Sequence, residues 1–179
     1  DGEKVREEKD TRGDGKPDVI TRFEGGAETL QEQDTTGDGK FDTWIHFEKG
    51  KPSRQDRDTT GDGVSDQITY FALDGSTLRE EVDTNSDRKP DFKRFYANGE
   101  TRREEQDQDF DGRFELVTRF EDGTPRRSEE DLDGDGEADV VVQYQGGRKK
   151  IQTEDRDFDG SVDVVTQFGD DEKPARIEE

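Results

Sequence analysis

The spacing of aspartate along this chain leaves few folds open. The stretch Asp131-Leu-Asp-Gly-Asp-Gly-Glu-Ala-Asp139 reads D-x-D-x-D-G-x-x-D, with carboxylates at positions 1, 3, 5 and 9 and Gly136 at position 6. Related nine-residue stretches begin at Asp10, Asp34, Asp58, Asp83, Asp107, Asp131 and Asp155, with successive spacings of 24, 24, 25, 24, 24 and 24 residues. A constant period of this length marks an array of small units, each completed by its neighbours.

The rest of each period is equally regular. After the acidic loop comes a short β-type run: DVITRF, DTWIHF, DQITYF, DFKRFY, ELVTRF, DVVVQY and DVVTQF. A turn follows (EGG, EKG, ALDG, ANG, EDG, QGG, GDDE), whose Gly or Asn-Gly supplies the positive φ of a hairpin. A charged run then leads to the next Asp. No helical periodicity is present. The sequence therefore predicts an all-β repetitive antiparallel meander or solenoid of about fifteen strands. It comprises a half repeat at 1–9 and seven repeats at 10–33, 34–57, 58–82, 83–106, 107–130, 131–154 and 155–179, forming a single array over 1–179. Two strands per repeat make only half a propeller blade, which disfavours a closed propeller.

Counted from the ninth loop residue, offset +5 is always aromatic: Phe23, Phe47, Phe71, Tyr96, Phe120, Tyr144 and Phe168. Offset +2 is mostly apolar: Ile20, Trp44, Ile68, Lys93, Val117, Val141 and Val165. Odd and even offsets point to opposite faces of a strand, so the two rows lie on different faces. Four residues before each loop stand Arg6, Leu30, Arg54, Arg79, Arg103, Arg127 and Ile151, and acids mostly stand two residues later. These arginines are expected either to lie on the aromatic row or to form cross-strand ion pairs.

Composition explains why the loops matter. Apolar residues make up 23%, charged residues 44%, and the net charge is −22. That profile alone is one of disorder, yet acidic low-complexity tracts hold no register. Hydrogen bonds and a neutralising cation must supplement so thin an apolar core. The chain has no Cys, hence no disulfide or thiolate site. No apolar run has transmembrane length, and no signal peptide is visible. The acid excess argues against nucleic-acid partners and against insertion into or attraction to anionic membrane. The start at Asp1-Gly2, within what reads as half a repeat, suggests a fragment or processed product, whose open ends invite pairing unless charge blocks it.

Carboxylates at alternating positions of a tight loop converge their oxygens, and six to eight hard oxygen ligands suit Ca²⁺. With one His and no Cys, softer metals lack ligands. The candidate ligands are Asp10, Asp14 and Asp18; Asp34, Thr36, Asp38 and Asp42; Asp58, Thr60, Asp62 and Asp66; Asp83, Asn85, Asp87 and Asp91; Asp107, Asp109, Asp111 and Glu115; Asp131, Asp133, Asp135 and Asp139; and Asp155, Asp157, Asp159 and Asp163. Position 7 would add a backbone carbonyl. The three C-terminal loops are the best copies. The loop at 10–18 carries Arg12 at position 3 and is the poorest, and the loop at 83–91 replaces the position-6 glycine with Arg88. Asp-rich turns between strands would use the same residues, but seven aligned sets of acids favour metal. Up to seven Ca²⁺ are expected, and a chain that is loose without calcium and folded with it.

The D-x-D-x-D-G-x-x-D loop resembles those of EF-hands, dockerins, thrombospondin type 3 repeats and integrin-type propellers. Position 12 lacks the EF-hand Glu (Thr21, Ile45, Thr69, Arg94, Thr118, Val142, Thr166), so the integrin-type loop is most similar. The hairpin half is similar to the YD-type repeats of bacterial secreted and surface proteins. The tandem pattern looks like the repeat tracts of bacterial surface lipoproteins and adhesins. This resemblance implies an extracellular, cell-surface or periplasmic bacterial module. It would be a calcium-stabilised stalk, adhesin spacer or filament without catalysis, or else a calcium-dependent binding module for a protein or glycan. Copies of itself or a surface protein or glycan are the partners it implies. His46, the only histidine, is expected to be structural, and Trp44 to pack rather than to bind sugar. Repeat 83–106 departs most from the others and is the place to look for a ligand. The offset +3 threonines (Thr21, Thr69, Thr118, Thr166) hint at an ice-binding face, which Ile45, Arg94 and Val142 interrupt.

Overall fold

A computed structural model describes residues 2–179, leaving Asp1 of the opening half repeat outside the described residues. The described chain is all-β. Two compact units divide it, Asp1–Pro90 and Asp91–Glu179. The first unit holds β1 (Arg6–Lys9), β2 (Val19–Glu24), β3 (Ala27–Gln33), β4 (Thr43–Glu48), β5 (Lys51–Arg57), β6 (Gln67–Phe71) and β7 (Thr77–Val82). The second holds β8 (Phe92–Ala97), β9 (Glu100–Gln106), β10 (Leu116–Glu121), β11 (Thr124–Glu130), β12 (Val140–Gln145), β13 (Arg148–Glu154), β14 (Val164–Phe168) and β15 (Pro174–Glu178). The fifteen strands match the expected number. Within each unit every strand pairs antiparallel with its neighbours in chain order. Among the described residues no helix is long and apolar enough to cross a membrane.

Tight turns join the two strands of each hairpin. At Gly25-Gly26, Lys49-Gly50, Asn98-Gly99, Asp122-Gly123 and Gly146-Gly147 both central residues have positive φ. That conformation matches the twist of a two-residue hairpin. Every hairpin also slips register once, immediately before the offset +5 aromatic: at Arg22/Phe23, His46/Phe47, Tyr70/Phe71, Phe95/Tyr96, Arg119/Phe120, Gln143/Tyr144 and Gln167/Phe168. One extra residue sits on the return strand at each slip, as in a β-bulge.

The bulge changes which residues face each other. The column of arginines lies opposite offset +4 rather than the +5 aromatics: Tyr70 pairs with Arg79 and Phe95 with Arg103. Accordingly the Arg79 guanidinium lies 4.3 Å from the Tyr70 ring centroid, and that of Arg103 lies 4.3 Å from Phe95. The same arginines reach the acid two residues along: Arg54 to Asp56 at 2.6 Å, Arg79 to Glu81 at 3.1 Å, Arg103 to Glu105 at 2.9 Å and Arg127 to Glu129 at 2.9 Å. Ring stacking and ion pairing are thus combined. These ion pairs follow the strand, because residues two apart share a face, while cross-strand pairs start from the facing strand, as in Arg22–Glu32 at 2.9 Å and Arg94–Glu104 at 2.7 Å.

Apolar packing is sparse. Only Ile20, Val142 and Val164 are buried hydrophobics, and no large side chain is fully buried among the described residues. The offset +3 residues Thr21 and Thr166 are buried, so that column is no regular exposed threonine face. Most of the buried polar residues are aspartates of the loops: Asp18, Asp34, Asp42, Asp58, Asp66, Asp91, Asp107, Asp139 and Asp155. Burying a carboxylate is costly unless donors or a cation meet it, so each unit's stability depends on what surrounds these nine groups.

Candidate metal centres

Backbone bonds tie the loops into a row within each unit. The carbonyl at position 9 accepts the N–H of position 1 in the next loop: Asp34 to Asp18 at 2.9 Å, Asp58 to Asp42 at 2.9 Å and Asp83 to Asp66 at 2.8 Å in the first unit. In the second unit the bonds are Asp107 to Asp91 at 2.8 Å, Asp131 to Glu115 at 3.1 Å and Asp155 to Asp139 at 2.8 Å. A second bond closes most loops at the base, as where the Asp139 N–H donates to Glu130 at 2.9 Å.

Inside a loop each carboxylate has a fixed duty. Position 1 accepts the N–H groups of positions 4 and 6; in the loop at 34–42, Gly37 and Gly39 donate to Asp34 at 2.6 and 2.9 Å. Position 5 accepts from position 7, as Lys40 donates to Asp38 at 2.8 Å. Position 9 reaches back to positions 2 and 3, where Thr35 and Thr36 donate to Asp42 at 2.9 and 3.0 Å. These bonds require positive φ at positions 4 and 6. Gly37 and Gly39 have φ of 85° and 87°. Arg88 takes the same conformation at 73°, and its N–H still donates to Asp83 at 2.7 Å. Its loop therefore closes despite the missing glycine.

Convergence of acids differs between the units. In the second unit Asp107, Asp109, Asp111 and Glu115 each offer one oxygen within 4.8 Å of the others. Asp131, Asp133 and Asp139 do the same, as do Asp155, Asp157 and Asp163, without Asp135 and Asp159 of those loops. Among the described residues no such group forms within loops 10–18, 34–42 and 58–66, where position 3 is Arg12, Thr36 or Thr60. Asp14, Asp38 and Asp62 there are bonded to the N–H of Lys16, Lys40 and Val64. Of the loop at 83–91, Asp83, Asn85 and Asp87 belong to the first unit and Asp91, which is buried, to the second.

The loop at 107–115 is the most demanding. Asp107 is 4% exposed, and its Oδ1 has no hydrogen-bond partner among the described residues, whereas its Oδ2 accepts the Gly112 N–H at 2.8 Å. A buried carboxylate oxygen left without a donor is costly, and a cation among four converging acids would relieve it. Hard oxygen donors of this kind fit Ca²⁺. In the loop at 155–163 the charges of Asp159, Asp163 and Asp155, with some burial, raise the pKa of Asp157. Like charges crowd there without a counter-charge.

In the first unit the protein supplies its own donors. Arg12 Nη1 stands 2.5 Å from Asp18 Oδ1 and 3.3 Å from Asp34 Oδ2, and Nη2 donates to the Asp34 carbonyl at 2.8 Å. The Thr11 hydroxyl first, then the N–H groups of Thr11 and Arg12 and the Arg12 guanidinium, hold Asp18 down to about 2 against the opposing effect of burial. Burial pushes Asp42 up, but the hydroxyls of Thr35 and Thr43 and the N–H groups of Thr36 and Thr35 outweigh it and lower its pKa.

Two signals escaped the sequence reading. Position 4 needs positive φ as much as position 6, and the glycines Gly13, Gly37, Gly61 and Gly134 mark it. Position 2 is Thr in the first four loops (Thr11, Thr35, Thr59, Thr84) and Gln108, Leu132 or Arg156 in the last three. His46 Nε2 lies 3.1 Å from Asp56 Oδ2, beside the Arg54–Asp56 pair, and is partly exposed. Trp44 lines an open groove of about 550 Å³ with Phe41 and the acids Glu32, Asp38, Asp42 and Asp58.

No protein-family model and no curated protein matches the sequence. Among solved structures, the chain is similar to part of the accessory secretory protein 1, 2 and 3 structure from Streptococcus pneumoniae. There the TM-score is 0.42 with 15% identity, over 64% of this chain and 19% of that one. It is also similar to part of a GtfA/B complex, with TM-score 0.31 and 14% identity over 74% of this chain and 22% of that one. The chain thus spans about a fifth of the length of each, and likeness at that level carries no argument about fold or activity.

Proposed function

We propose that the chain is a calcium-stabilised structural module, a tandem-repeat spacer in which acidic loops act as joints between β-hairpins. The observation that carries this reading is the buried, partnerless Oδ1 of Asp107 beside three converging acids. Calcium at the second unit's loops would offset crowded charge and lock the hairpin-to-hairpin connection. A site filled at ten times its dissociation constant stabilises by about 1.4 kcal/mol. Several such sites amount to a large share of a domain's net stability. In this reading the seven repeats form one continuous coiled ribbon, the function is mechanical and non-catalytic, and the setting is the exterior or surface of a bacterial cell. The test is thermal melting followed by circular dichroism, with millimolar calcium and with excess chelator. Calcium should raise the melting temperature in a concentration-dependent way; identical melts sink the reading.

A second reading, a binding module for a protein or glycan, has the groove beside Trp44 in its favour. An aromatic floor ringed by acids suits a cationic side chain or a sugar hydroxyl face. Because Trp44 is the only tryptophan, its fluorescence reports directly on ligand binding there.

A further inference from the structure

The loops divide into two kinds by the number of donors that reach the ninth-position carboxylate. Asp18 accepts from the Thr11 N–H and hydroxyl, the Arg12 N–H and the Arg12 guanidinium. Asp42 accepts from the Thr35 N–H and hydroxyl, the Thr36 N–H and the Thr43 hydroxyl. Asp66 accepts from the Thr59 N–H and hydroxyl and the Thr60 N–H. In the second unit Asp139 and Asp163 accept two backbone N–H groups each, and Glu115 one. A carboxylate offers about four lone-pair sites. Those of Asp18 and Asp42 are filled by the protein, while those of Glu115, Asp139 and Asp163 are at least half available.

At position 1 the contrast is with the loop at 107–115. Thr36 and Thr60 direct their hydroxyls to Asp34 and Asp58 at 3.4 and 3.2 Å, and Arg12 adds a full positive charge beside Asp34. Asp107 has no such help and keeps a buried oxygen without a donor.

Among the six loops that lie within one unit, we infer that calcium demand is confined to those at 107–115, 131–139 and 155–163, and that those at 10–18, 34–42 and 58–66 carry a built-in substitute. The substitute is the position-2 threonine hydroxyl, joined in the first loop by the Arg12 guanidinium, which serves two loops at once. Calcium then controls the order of the second unit's loops, while those of the first stay closed in its absence. This rests on the calcium reading above and adds where calcium acts.

The test is hydrogen exchange by mass spectrometry on the full chain, with calcium and with excess chelator. Chelation should speed exchange about tenfold or more at the loop amides of Gln108, Gly112, Leu132 and Arg156, and change those of Thr11, Thr35 and Gly39 by less than about twofold. Equal acceleration in both sets overturns the division and leaves the calcium reading standing. No change in either set overturns both.

Discussion

Arg12 and Asp18 form a salt bridge of 2.5 Å inside a loop whose sequence marks it as a metal site. The guanidinium stands where the third ligand of a D-x-D loop would otherwise point, and it extends on to Asp34 of the next loop. A ligand position has become a tethered cation. Arg12→Ala should lower stability, since it leaves two carboxylates short of a partner while water screens part of the loss. Arg12→Lys should lose less. Urea midpoints of the three proteins in chelator check this, and an unchanged midpoint for the alanine variant contradicts it.

Thr35 makes the neighbouring case with an uncharged group. Its hydroxyl donates to Asp42 at 2.7 Å, and valine keeps the shape while removing the donor. Thr35→Val should cost about 1–2 kcal/mol whether or not calcium is present. Denaturant titrations in chelator and in calcium read the cost, and no loss of stability in chelator contradicts the substitute role of the hydroxyl.

Arg88 holds φ of 73° at a position where the other six loops have glycine at 85° to 95°. Its side chain is exposed, so the strained backbone gains little from it. Arg88→Gly should stabilise by up to about 1 kcal/mol, because the left-handed region penalises a residue with a Cβ. Thermal melting of the variant in chelator reads the effect, and a lower melting temperature refutes it.

Glu129 provides a pH test away from the loops. Burial pushes its pKa up, but hydrogen bonds from Arg119 and Arg127 outweigh this and hold it below the usual 4.5. A carboxylate with a depressed folded pKa contributes stability above the unfolded value and loses it as pH falls through the folded one. Glu129→Gln should therefore cost about 0.5 kcal/mol at neutral pH and nothing once the acid is protonated. Denaturant titrations of both proteins across pH 3 to 7 measure the difference; a pH-independent gap rules the ion pairs out as its source.

The architecture was legible because the period is strict. Hairpin glycines such as Gly25-Gly26 and the alternation of DVITRF announce strand, turn and strand without reference to anything distant. The acids of the C-terminal loops were legible for the same reason, being local in sequence. Three features were not. The bulge before each aromatic depends on pairing between strands, so the partner of Arg79 proved to be Tyr70 rather than Phe71. The reach of Arg12 to Asp34 spans 22 residues. The threonine at position 2 carries no signal of its own in the sequence, and only its bond to Asp18, Asp42 or Asp66 gives it a role.

The central claim is that calcium enters the second unit's acidic loops and holds them. Isothermal titration of the chelator-stripped full chain with calcium, beside the variant Asp107→Asn, tests it most directly. The account predicts about three to four ions per chain for the natural sequence, since the loops at 10–18, 34–42 and 58–66 need none. It predicts one fewer for Asp107→Asn, together with unchanged or higher stability in chelator, because the substitution removes a charge from a crowded cluster. A titration that shows no bound calcium contradicts the claim outright, and seven equivalent sites contradict the division between the loops.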